Sequence, residues 1–172
     1  MTKFSRDGNF VVVRLEAGEV NALTDLAGQL SAVLTGGVPD HGDDPIRDRL
    51  FPRAYLDPTE DRAESDFQSV VHDDLVRAKA DAVAAFLADL GAKTDARGRM
   101  KVRLDAARVE QWVAALNDVR LALGVALGVT EDDDPDLGDP EDPRATGLAL
   151  YHWLTWLQGT LIEVLLDALP EE

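Results

Sequence analysis

The sequence predicts a mainly α fold: a helical bundle of about five helices with a small N-terminal β-hairpin and one further short strand. Three observations carry this. Apolar residues recur at steps of three and four over long windows, above all in residues 106–127 and 145–169. A β-branched run at residues 11–13 follows an Asp7-Gly8 turn signal. Residues 97–104, RGRMKVRL, alternate between basic side chains and small or apolar ones, the period of a strand.

The hairpin occupies KFSRDGNFVVVRL, where Phe10, Val11, Val12 and Val13 favour strand through branching and aromaticity. From about Ala17 to Leu34, Val20, Leu23, Leu26, Ala27, Leu30, Val33 and Leu34 form one face of an amphipathic helix, stopped by Gly36 and Gly37. Residues 38–58 make a long connection. Within it, Asp44-Pro45 has the cap-then-proline signature of a short helix that runs to about Phe51 and ends near Pro52. Asp57-Pro58 repeats the signature and opens a helical region reaching Leu90, with Ser69 as the candidate break point. Val71, Leu75, Ala78, Val83, Phe86, Leu87 and Leu90 line its apolar face, and Gly91 closes it. The basic strand then pairs with the hairpin to give a small sheet against the helices.

Asp105 caps the next helix, about Ala106 to Leu127, whose core stripe is Val109, Trp112, Val113, Leu116, Val119, Leu123 and Leu127. Gly128 ends it. Residues 131–144 read as a flexible acidic loop. A last helix runs from about Ala145 to Leu169 and is stopped by Pro170. It is apolar around most of its circumference, so it is either the central helix or part of an oligomer interface.

Length and a hydrophobic content of 45% fit one folded domain over residues 1–172. The chain has no cysteine, which excludes disulfides, thiolate catalysis, a thiol redox switch and cysteine-bound zinc. His152, Gln158 and Glu163 interrupt the most apolar segment, so no membrane span is read. With no basic-then-apolar leader at its start, the expected location is cytoplasmic. A formal net charge of −16 repels free nucleic acid at long range and favours basic protein partners.

No complete catalytic or cofactor motif is present, and none is assigned. In the acidic loop Asp132, Asp134 and Asp136 have the spacing of a calcium loop. Its glycine is displaced, however, and Pro143 stands where the bidentate glutamate belongs, so a solvated charge run is the better reading. Asp40, His41, Asp43 and Asp44 are metal-capable, but the paired-histidine spacing of a zinc site is missing, and no metal site is assigned. Lys93, Arg97, Arg99, Lys101, Arg103 and Arg108 form a basic cluster. It has two readings: phosphate contacts on DNA, or compensation by the protein's own acids or by a partner. No aromatics are interleaved to stack on bases. Asn117, Asp118 and Arg120 interrupt an apolar helix and require partners if buried, with Asp118 meeting an arginine of the Arg49–Arg53–Tyr55 loop as the expected structural network. Trp112, Tyr151, Trp153 and Trp156 lie at helical spacing and read as core, although one of Trp153 and Trp156 belongs at a subunit or partner interface.

Three blocks together resemble a known family: RLFPRAYLDP at 49–58, WVAALNDVRLALGVALGVTEDDD at 112–134 and LYHWLTWLQGTLIEVLLDAL at 150–169, preceded by an F-x-x-x-G-x-F pattern at Phe4–Gly8–Phe10. The chain is similar to an actinobacterial family of unknown function, also called the AosR-like oxidative-stress transcriptional regulator family and typically encoded near the Clp protease adaptor ClpS. That resemblance implies a cytoplasmic regulator acting through protein contacts, with a sigma factor or other transcription machinery as the partner class. Without cysteine, the chain departs from a thiol-switch version of that idea. The leading expectation is therefore a non-catalytic regulatory protein. Its contact candidates are Arg49, Arg53, Tyr55, Arg97, Arg99, Lys101, Arg103, Trp153 and Trp156, together with the acidic loop, and a homodimer through the final helix is one form the contact can take. The alternatives are direct DNA binding through strand 97–103 and an unrecognised metal-assisted enzyme.

Overall fold

The N-terminal strands β1 (Lys3–Asp7) and β2 (Phe10–Leu15) pair antiparallel with Asp7 opposite Phe10. Gly8 and Asn9 are thus the two-residue loop, and Gly8 takes a φ of +61°. β3 (Met100–Leu104) pairs antiparallel with β2, Val13 facing Val102, which gives a three-stranded sheet in the order β1-β2-β3. The fold is that of a computed structural model, which describes residues 1–36, 44–54, 57–92, 94–130 and 143–167, without the side chains of residues 58, 64, 68 and 69.

The expected strand starts three residues later than the alternation indicates. Arg97 and Arg99 lie in a turn built by Asp95, whose carboxylate accepts from the backbone N–H of Arg97 at 2.8 Å and of Arg99 at 2.9 Å. Gly98 completes the turn with a φ of +76°, and a Cβ there would lie 2.9 Å from that of Ala17. Turn chemistry overrides a period-two pattern that a turn cannot express.

The helices are α1 (Ala17–Thr35), α2 (Pro45–Leu50), α3 (Asp61–Ala92), α4 (Ala106–Leu127) and α5 (Ala145–Leu166), with a 3-10 turn at Pro58–Glu60. The start signals act as the sequence indicates. Asp44 accepts from the N–H of Ile46 and Arg47, Asp57 from that of Thr59 at 2.8 Å, and Asp105 from that of Arg108 at 2.8 Å. At the start of α1, Glu19 reaches back to the N–H of Glu16 at 2.8 Å and of Thr2 at 2.9 Å, tying the N-terminus to the helix.

The central helix is α4, which packs against α1, α2, α3, α5 and the sheet. Val109, Trp112, Ala115, Leu116 and Val119 are buried along it. Around them lie Val11, Val13, Leu15, Met100, Val102 and Leu104 of the sheet, Leu23, Ala27 and Leu30 of α1, Val83, Phe86 and Leu90 of α3, and Leu154, Leu157 and Leu161 of α5. Phe86 meets Trp112 edge to face, with centroids 4.7 Å apart. The final helix is therefore not central. It covers α4 and β1 on one side and leaves Trp156, Ile162 and Leu166 exposed.

α3 departs from expectation twice. It runs unbroken through Ser69, and only its C-terminal half enters the core; Val70 and Leu75 are 74% and 42% exposed, and Ala78 is exposed too. Length is the reason. Thirty-two residues make a rod of about 48 Å, whereas the nineteen of α1 make one of about 28 Å, so the first turns of α3 extend past the layer they would cover.

Truncation at the centre tests this packing: Leu116→Ala should cost about 2–5 kcal/mol in denaturant unfolding, because Leu116 is fully buried on α4. The cap of α1 predicts an acid response. Burial pushes the Glu19 carboxyl up, but the hydrogen bonds from Glu16 and Thr2 outweigh it and hold its pKa below the ordinary 4.5. Its stabilising contribution is therefore present above that value and lost as pH falls below it. Stability measured across that range should fall less steeply in Glu19→Gln than in the unaltered chain.

Candidate functional site

α4 is covered on most faces, apart from an outer side carrying Ala107, Glu110, Gln111 and Ala114, so each polar residue on its covered faces needs a partner or an opening. At its N-terminal end the need is met by α3. Asp89 accepts from Arg108 Nε at 2.7 Å and Nη2 at 2.9 Å, and from the indole N–H of Trp112 at 2.9 Å. Hydrogen bonding to Asp89 keeps Arg108 firmly protonated, with its pKa raised. Sequence reading missed this triad because Asp89 and Trp112 come together only when α3 and α4 pack.

In the middle of α4 the expected network separates into two. Asp118 does not meet an arginine of the 49–55 loop. It pairs with Lys79 of α3 at 2.8 Å, and both side chains are largely withdrawn from water. Asn117 and Arg120, three residues apart and on another face, turn towards α5 instead. Asn117 Oδ1 accepts from Arg120 Nη2 at 3.3 Å and from Gln158 Nε2 at 3.5 Å, and Arg120 Nη1 reaches the Tyr151 hydroxyl at 3.4 Å. Helical geometry explains the split, since adjacent positions diverge by about 100°. Residues 51–54 are tied to α3 all the same, through Phe51. Its ring lies 5.2 Å from His72 and under the Lys79 ammonium at 5.9 Å, while Arg53 pairs with Asp61 at 2.6 Å.

Beyond Asn117 a cleft of about 550 Å³ opens at the C-terminal end of α4. Arg49 of α2, Arg120, Leu121, Gly124 and Val125 of α4, the cap residue Gly128 with Val129 and Thr130, and Tyr151 of α5 line it. The Tyr151 ring sits so close that a Cβ on Gly124 would lie 3.1 Å from it. Gly128 ends the helix in the left-handed conformation with a φ of +62°, and Arg144 donates to the carbonyl of Leu127 at 3.2 Å.

The outer face of the sheet holds what remains of the basic cluster. Arg99 is bound to Asp95 at 3.0 Å, and Arg103 to Asp7 at 3.2 Å with its guanidinium 4.3 Å from the Phe10 ring centre. Hydrogen bonds, first from the N–H of Arg99, hold the Asp95 carboxyl below its ordinary range. Compensation thus comes from Asp7, Asp95 and Asp89, on elements flanking the strand. Pairing register adds a feature the strand alone hides: Lys3, Arg14 and Lys101 form one row across the three strands, all exposed. Arg97 is exposed in the turn.

On α5, Trp153 packs against the core, while Trp156 is 45% exposed with its ring edge-on to Phe4 at 5.9 Å. Ile162 and Leu166 continue the exposed apolar stripe, 38% and 59% accessible. Tyr55, Lys93, the metal-capable Asp40, His41 and Asp43, and residues 131–142 of the acidic loop lie outside the described residues. Asp44 caps α2. Among the described residues no three His, Asp or Glu side chains converge on a metal position, and no helix is long and apolar enough to cross a membrane.

A family model described as "Domain of unknown function (DUF2017)" matches residues 1–165, and the chain belongs to that family. The family resemblance carried by the three sequence blocks is thereby confirmed. Among curated relatives, a Mycobacterium leprae protein named "Putative oxidative stress regulator AosR" is 32% identical over 148 residues, covering 78% of this chain and 65% of its own length. The proteins named "Oxidative stress regulator AosR" from Mycobacterium bovis and Mycobacterium tuberculosis H37Rv are each 29% identical over 165 residues, covering 90% of this chain and 72% of theirs. No solved structure matches the chain.

The Asp118–Lys79 pair gives a direct test. Asp118→Ala strands the Lys79 ammonium in a site only 20% exposed and should cost about 3–5 kcal/mol of stability. Replacing both, as Asp118→Leu with Lys79→Met, should recover most of that loss, and chemical denaturation of the two variants measures it.

Proposed function

We propose that this chain is a non-catalytic, stress-linked regulator of the cytoplasm that works by binding another protein, with a sigma factor as the partner class to test first. The relatives' names support the stress link. The observation that carries the binding reading is the α5 stripe: Trp156, Ile162 and Leu166 keep large apolar surfaces in water on a helix whose opposite side is fully buried. Exposed tryptophan and long aliphatic side chains on one rigid face are the makings of a binding hot spot. The absence of cysteine narrows the mechanism. Met100 is 2% exposed, so apart from the terminal Met1 the chain offers oxidants no accessible sulfur, and the oxidant-sensing step belongs to the partner.

The test is a binding titration of the purified chain against the sigma factors of its source organism at physiological salt. Saturable binding to one of them, weakened at least about tenfold by Trp156→Ala with Leu166→Ala, is the expected result. No binding to any, or binding indifferent to the double substitution, contradicts the proposal. If sedimentation shows a dimer that the same double substitution dissociates, the stripe serves self-association instead.

Direct DNA binding is the second reading, favoured by the Lys3–Arg14–Lys101 row. Three phosphate contacts would make log K fall against log salt with a slope of about −3, and Arg14→Glu with Lys101→Glu should abolish the binding. A promoter fragment that gives no shift at low salt ends this reading.

A further inference from the structure

Charge in this chain is lopsided, with 33 acidic residues against 17 lysines and arginines. Some of the cations find acids: Lys79 with Asp118, Arg99 with Asp95, Arg103 with Asp7, Arg108 with Asp89, Arg53 with Asp61 and Arg77 with Asp74. Arg49 and Arg120 are among the cations with no acidic partner among the described residues, and these two line the same cleft. We infer that the cleft between α2, α4 and α5 binds a small organic anion, a carboxylate or phosphate head group held by Arg49 and Arg120 on a compact apolar body.

Arg120 carries the most weight. A guanidinium has five N–H donors. Two of them reach neutral acceptors, the Tyr151 hydroxyl at 3.4 Å and Asn117 Oδ1 at 3.3 Å, and both contacts are long for charge-assisted bonds. Its Nε–H is buried with no acceptor among the described residues. A half-buried cation with unused donors is costly unless an anion completes it. Arg49 stands exposed on α2 and presents a second planar fork to the same space. Two forks facing one cavity repel each other, and an anion between them reverses that repulsion.

The remaining chemistry fits the same ligand class. The Tyr151 hydroxyl, accepting from Arg120, keeps its own proton to donate to an anion oxygen. Leu121 and Val125 supply an apolar wall. A volume of about 550 Å³ lies within the range of small-molecule sites. The fork geometry reads carboxylate and phosphate alike, so the two are separated by experiment.

The test is an NMR titration of the labelled full chain with benzoate and with phenyl phosphate, with benzylamine as the cationic counterpart. Saturable shifts of the Gly124 and Gly128 amides and of the Arg120 Nε–Hε resonance, produced by one or both anions and not by benzylamine, are expected. Benzoate alone assigns a carboxylate head group, phenyl phosphate alone a phosphate, and both a fork that accepts either. Arg49→Gln is on the surface and leaves the core untouched; it should weaken the response at least about tenfold. No saturable shift with either anion overturns the inference, as does an Arg49→Gln response equal to that of the unaltered chain, or an equal response to benzylamine. The cleft is distinct from the Trp156 stripe, so the outcome does not depend on the partner-binding reading.

Discussion

Enclosure of α4 is the constraint on which the rest of the structure depends. Where α4 meets its neighbours it must be apolar, and wherever it is not, the neighbour has to supply the complement. Trp112 and Leu116 meet the first requirement by being fully buried. Asp89 and Lys79, both on α3, meet the second by taking up the Trp112 and Arg108 donors and the Asp118 carboxylate. The two pairs fix the register of α3 against α4 at points ten residues apart on each helix, Lys79 and Asp89 on one and Asp118 and Arg108 on the other, and they leave the other flank of α4 to α2 and α5.

On that flank the complement is incomplete. α5 offers Tyr151 and Gln158, which are neutral, and α2 offers Arg49, which has the wrong sign. The same asymmetry runs through the surface of the molecule. Carboxylates neutralise some of the cations locally, while positive charge or apolar area is gathered at the cleft, the three-cation row on the sheet and the outer stripe of α5. Those places are the candidate contact surfaces, whereas the buried ion pairs are explained by folding alone.

Much of the fold is legible in the sequence because it is written in local chemistry. Asp44, Asp57 and Asp105 cap their helices through bonds to residues two or three positions on, and the two-residue loop at Gly8 sets the hairpin register; both depend only on neighbours. What is not legible depends on register between distant elements. The apolar pattern of α3 continues through Leu75 and Ala78, and only the lengths of the helices packed beside it reveal that these positions stay exposed. Apolar residues all round α5 fitted a central or an interfacial helix equally well, and the packing decides that it is not central. Asn117, Asp118 and Arg120 were recognisable as polar residues in need of partners, but their division between α3 and α5 follows from which faces those helices occupy. Arg49 stood out in the sequence. Tyr151, three helices away in the chain and read as core, joins it only in three dimensions.

Hydrogen exchange of the backbone amides tests the central claim most directly. If α4 is the enclosed axis, the amides of residues 109–119 exchange only through global unfolding and are the slowest in the chain, while those in the first turns of α3, near Val70 and Leu75, exchange through local opening many times faster. Protection in α4 equal to or weaker than that at the start of α3 would contradict the account.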